Sequence, residues 1–149
     1  MNAKAAGAAV IVLALGGCAS VGVEVHELKP AQGPQGVHVE LALDEYVIGN
    51  ADEIEGELLA VQADGVIVNM AATAAGAGSH RLVRVPFPAI KSVRLEQIGR
   101  VGIRSRDREQ NLDRLRLLAR FPQGLSDDLL AVLLAESGQA QLQVPEKRE

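Results

Sequence analysis

The chain has 149 residues, one cysteine and a formal net charge of −4. A single cysteine excludes an intrachain disulfide, and Tyr46, Phe87 and Phe121 as the only aromatic residues leave no stacking platform for a sugar or a base. With 48% apolar residues and so few aromatics, the core must be aliphatic.

The charge is placed unevenly. Residues 18–80 carry ten acids and one base, residues 81–120 eleven bases and four acids, and residues 121–149 five acids and two bases. At the start, Lys4 and the amino terminus precede an unbroken apolar run over residues 5–15, followed by small residues. That is the order of a secretory signal.

The run ends in Leu15-Gly16-Gly17-Cys18. This tetrad resembles the lipobox of bacterial lipoproteins. The resemblance covers residues 1–18 and implies that Cys18 receives a diacylglycerol, that residues 1–17 are a signal peptide removed before it, and that the new amino group is acylated, for instance by palmitate. Small residues before the cysteine suit the approach of a peptidase to the backbone, and a thiolate is a strong nucleophile toward the lipid. Ala19, rather than Asp, follows the cysteine, which by the same resemblance implies the outer membrane, with the domain facing the periplasm. Two other readings compete: an incidental cysteine after an ordinary signal, and an uncut anchor over residues 5–23, which hold no charge and approach the ~20 residues that a bilayer requires. Gly7, Gly16, Gly17 and Gly22 weigh against the anchor.

Residues 18–36 read as a flexible tether, rich in Gly and Pro, with at most a weak strand at Val21, Val23 and Val25. Val37, Val39, Leu41 and Leu43 alternate with polar or small residues, a half-buried strand that leaves His38 on its polar face. A loop follows at residues 44–53. Strands at residues 54–62 and 66–70 flank Asp64-Gly65, a hairpin signal. Residues 71–79 are a small-residue loop without a phosphate-binding pattern. Residues 81–87 and 89–98 complete five strands, with Pro86 and Pro88 forcing a bend around Phe87.

The period then changes. Leu112, Leu115, Leu118 and Ala119 recur at helical spacing, with Asp107 and Gln110 spaced as a capping box. Ser126 is placed to cap a second helix, with Asp127 and Asp128 in its first turn, Leu125 and Leu130 as a staple, and Gly138 at its end. The apolar run from Leu129 to Leu134 predicts a well-buried helix. The expected architecture is mostly β plus α: a five-stranded barrel or rolled sheet over residues 37–98, loosely resembling the SH3 and Sm type, then a helical hairpin over residues 99–140 packed on it, then a disordered tail at residues 141–149. A four- or five-stranded sheet with both helices on one face is the alternative.

No catalytic set emerges. Cys18 is committed to lipid, no G-x-S-x-G is present, and Ser79 and His80, as chain neighbours, point apart in an extended segment. His26, His38 and His80 lack metal-ligand spacing. Glu53, Glu55 and Glu57 at period two read as the polar face of a strand rather than a calcium loop. Arg94, Arg100, Arg104, Arg106 and Arg108 form the remaining cluster, read either as a patch for an anionic envelope partner or as internal partners of the acidic N-terminal half. The expected function is therefore a non-catalytic, lipid-anchored envelope module that binds another protein, with no cofactor, metal or nucleic acid. The alternative is a carrier or sensor of a small apolar or anionic ligand.

Overall fold

The computed structural model describes residues 35–70, 80–96 and 98–149. Within them eight strands and two helices follow in the order β1 (His38–Leu43), β2 (Tyr46–Val47), β3 (Glu53–Val61), β4 (Gly65–Met70), β5 (Arg81–Pro86), β6 (Ile90–Leu95), β7 (Gly99–Val101), α1 (Arg108–Leu118), α2 (Asp127–Glu136) and β8 (Glu146–Lys147). Six of the strands form one antiparallel sheet in the order β5-β4-β3-β1-β6-β7, and β2 pairs with β8 in a separate ribbon.

All five expected strands are present, but the ladder is open, with β5 and β7 at its edges. A closed five-stranded barrel is therefore replaced by a six-stranded sheet, because β7 adds to β6 and no pairing joins the two edges. The chain leaves β5 through a single 3-10 turn at Phe87–Ala89, where Pro86 and Pro88 bend it, and β6 then returns to pair with β1.

Alternation sorts the side chains to two faces. One face carries Val39, Leu41, Ile54, Leu58, Val66, Val68, Val83, Val85, Val93 and Leu95, and these merge with Leu112, Leu115 and Leu118 of α1 into the main core. The opposite face of β3, β4 and β5 carries Leu59, Ile67 and Leu82, against which Phe121, Leu125, Leu133, Leu134 and Leu142 pack. The two helices thus sit on opposite sides of the sheet. They are not a hairpin on one face, because the segment after α1 crosses the end of β3: Arg120 and Phe121 donate their amides to Leu58 O and Leu59 O at 3.0 and 2.8 Å.

Local signals act in unexpected ways. The β3–β4 hairpin has Ala63-Asp64 as its two-residue loop, closed by Gln62 N donating to Gly65 O at 2.8 Å, so Gly65 opens β4. Asp107 precedes α1, but its side chain makes no cap bond, whereas Ser126 Oγ accepts from Leu129 N at 3.3 Å as expected. Gly138, at φ 69°, ends α2 in the left-handed conformation. Leu125 packs on the Leu59, Ile67 and Leu82 cluster.

The C-terminal segment is ordered by pairing. Tyr46 and Val47 lie opposite Lys147 and Glu146, Arg148 N donates to Glu45 O at 2.7 Å, and Pro145 is buried. The expected disordered tail is therefore corrected over these residues. The same segment covers the β5 edge. Gln139 accepts from Leu82 N at 2.6 Å and donates to Leu82 O at 3.2 Å, and Gln143 O accepts from Arg84 N at 2.8 Å. A side-chain amide here stands in for a neighbouring strand and blunts an otherwise open edge.

Candidate functional site

Cys18 and the residues before it, Leu15, Gly16 and Gly17, lie outside the described residues, as do His26 and the loop at residues 71–79. Among the described residues, no helix is long and apolar enough to cross a membrane. No group of three His, Cys, Asp or Glu side chains among them is placed to hold a metal ion.

The structure disperses the arginine cluster. Arg94 on β6 and Arg100 on β7 are cross-strand partners, so they share one sheet face. Arg94 also lies opposite Glu40, to which it donates at 3.2 Å, and Glu40 lies opposite Glu55. A row of acid, acid, base, base thus runs from β3 across β1 and β6 to β7. The glutamates expected on a polar strand face are there: Glu53 and Glu55 are exposed and face away from Ile54.

The other three arginines leave that face. Arg104, in the loop after β7, donates to Asp44 Oδ2 and to Pro88 O, each at 2.5 Å, tying three connections together. Arg108, at the start of α1, lies 5.1 Å over the Phe87 ring. Arg106 is exposed and, like Arg100, has no acid partner among the described residues. The five arginines therefore do not form one patch: Arg94 and Arg100 share a sheet face, Arg104 and Arg108 both meet the Phe87–Ala89 turn, and Arg106 is exposed.

The uncovered surface lies on α2. The sequence Leu-Leu-Ala-Val-Leu-Leu-Ala fills the helix between Asp128 and Glu136, and an all-apolar helix is ordinarily buried. No residue of α2 is buried, however, and Val132 is 53% exposed. The reason is geometric. Leu133 and Leu134 reach the small Leu59, Ile67 and Leu82 cluster, Leu129 and Leu130 are half-buried, and Ala131, Val132 and Ala135 are left exposed. By contrast α1, more polar in composition, buries Asn111, Leu112, Leu115 and Leu118. The expectation of a well-buried second helix is corrected accordingly.

Two features escaped sequence reading. Asn111 is a buried polar residue whose Nδ2 donates to Gly102 O at 2.7 Å while its Oδ1 accepts from Arg114 at 3.2 Å. Only its place one residue before Leu112, on the buried side of the helix, signals this in the sequence. Gly36, at the end of the expected tether, is the second. A Cβ there would meet Leu58 O at 2.2 Å and Arg120 N at 2.7 Å, so it belongs to the body of the fold.

Comparison of the chain with family models, with curated proteins and with solved structures finds no match, so its assignment rests on these residues and their geometry.

Proposed function

We propose that this protein is a lipid-anchored, non-catalytic module of the bacterial cell envelope, tethered through Cys18, which binds a protein partner on the uncovered face of α2. One observation carries the reading: an apolar helix seated on the sheet by one side only, with Val132 at its outer crest. Leaving such a face in water forgoes about 25 cal/mol for each Å² of apolar surface, which a partner recovers on binding.

Charge favours protein over bilayer as the occupant. Asp127, Asp128 and Glu136 flank the apolar run and α2 has no base, whereas helices that lie on anionic membranes are basic. The partner surface is therefore apolar with a basic rim. Tethering raises the local concentration of the module, so a modest interface suffices. Arg100, exposed on β7 beside Arg94, supplies a second, anion-preferring contact. The return of β6 to β1 after a one-turn link supports a rolled sheet of the SH3 or Sm type as the scaffold.

A carrier of an apolar ligand finds less support. The space between the sheet and α1 is filled by Leu112, Leu115 and Leu118 against the strands.

A photoreactive side chain at position 132 of the full-length protein, in intact envelopes, tests the proposal. The expected product is one protein adduct of defined mass, weakened by salt, absent with the probe at Glu53 and lost in Cys18→Ser. Adducts to lipid alone, or equal labelling from both positions, overturn it.

A further inference from the structure

A cleft lies on the inner side of α2, distinct from the proposed partner face. Its volume is about 590 Å³, and it separates the C-terminal end of α2 from the outer face of β3 and β4. Its floor is apolar, formed by Leu59, Leu82 and Leu133, and its wall is polar, with Glu57 and Asn69 opposite one another on β3 and β4.

The polar groups are unequally satisfied. Glu57 Oε1 accepts from Gly36 N at 2.6 Å, and Arg120 Nη1 lies 3.9 Å from its other oxygen. Asn69 Oδ1 is buried and has no hydrogen-bond partner. Native proteins rarely leave a buried acceptor unpaired, so such an atom at a cleft wall marks a place where a donor belongs. The last turn of α2, with Glu136 and Gly138, forms the facing wall. A helix C-terminus and an added carboxylate both favour positive charge. Glu57 and Glu136 outnumber Arg120, and His80 at the rim completes the set.

We infer that this cleft binds a small organic ammonium with a short aliphatic body, whose N–H groups pair with Asn69 Oδ1 and whose carbons lie on Leu59, Leu82 and Leu133. An anion is disfavoured by the two glutamates and by the helix end. A neutral alcohol of the same length gains the apolar floor but not the charge.

Amide- and methyl-resolved NMR of the full-length protein, titrated with n-butylammonium chloride, tests the inference, with n-butanol and sodium chloride as controls. Saturable shifts at Leu59, Asn69, Leu133 and Gly138 are expected from the ammonium, the same shifts at several-fold higher concentration from n-butanol, and none from sodium chloride. Asn69→Leu should weaken binding about tenfold, the loss of one hydrogen bond to a charged donor. Asn69→Asp should tighten it. Glu136 is exposed, so Glu136→Gln leaves the fold intact and should weaken butylammonium several-fold without affecting n-butanol. Shifts that map elsewhere, that do not saturate, or that persist unchanged in both Asn69→Leu and Glu136→Gln overturn the assignment. A partner adduct at Val132 that survives Asn69→Leu keeps the two sites distinct.

Discussion

The Gly36 amide donates to Glu57 Oε1 at 2.6 Å, and this bond fixes the segment before β1 against β3. Around it, Val37 N donates to Leu118 O at 3.1 Å and Leu58 N donates to Val37 O at 2.9 Å, so three elements converge on one short stretch.

Gly36→Ala tests this junction. The added methyl would sit 2.2 Å from Leu58 O and 2.7 Å from Arg120 N, and both are backbone atoms that cannot rotate away. Overpacking of this kind costs about 1–3 kcal/mol. Urea denaturation of the full chain should show a loss in that range. Glu57→Gln keeps an acceptor for the Gly36 amide and should cost less than about 1 kcal/mol. Equal stability of Gly36→Ala and wild type would mean that the junction is not held as described.

The unequal burial of the two helices predicts unequal mutational costs. Leu115 is fully buried at the centre of the main core, and Leu115→Ala should cost about 3 kcal/mol. Leu133 is half-buried in the smaller cluster, and Leu133→Ala should cost about half as much or less. Midpoints of chemical unfolding measure both. A reversed order would place α2, not α1, at the centre of the fold.

What was legible in the sequence follows from which physical signals are local. Strands β1, β3, β4, β5 and β6 were readable because alternation is imposed by burial of one face, residue by residue. Strands β2 and β8 were not, since two-residue strands have no period and their partners lie about a hundred positions apart in the chain. Composition marked α2 as apolar but could not say what covers it. That depends on the segment after α1 crossing to the far side of the sheet. The arginines show the same limit. Their proximity in sequence suggested one patch, and the change from strand to loop to helix divides them. Asn111 was illegible because the carbonyl that it serves, on Gly102, lies in an irregular loop.

Asn111 offers a third test. Its amide bridges the β7–α1 loop and Arg114 from a nearly inaccessible position, 7% exposed. Asn111→Ala leaves Gly102 O short of its donor and opens a small void. The expected cost is about 2 kcal/mol. Asn111→Asp replaces the donor with a carboxylate facing a carbonyl oxygen and should be at least as damaging at neutral pH. Thermal melting of both variants decides the matter. A neutral effect of Asn111→Ala would indicate that water replaces the amide.

The arginines divide into structural and free groups, which separate by experiment. Arg104→Ala breaks the contacts to Asp44 Oδ2 and Pro88 O. Both side chains of the ion pair are partly exposed, so the loss should not exceed about 1 kcal/mol. Arg106→Ala, with no acid partner among the described residues, should leave stability unchanged and alter only salt-sensitive association. If Arg104→Ala were neutral and Arg106→Ala destabilising, the contacts assigned here would be reversed.

The exposed crest of α2 yields the prediction that joins stability to function. Val132 is 53% exposed and lies outside the cluster that Leu133 and Leu134 help to form. Val132→Ser should therefore change folding stability by no more than about 0.5 kcal/mol, as surface substitutions do. At a partner interface the same change removes apolar contact from the centre of the patch, and central contacts carry most of the binding energy. Crosslinking yield in envelopes should fall strongly while the melting temperature holds. Leu134→Ser, on the sheet side, should reverse the pattern by destabilising the domain before it affects association. If Val132→Ser proves as destabilising as Leu134→Ser, the crest is covered within this chain, and the partner must be sought on another face.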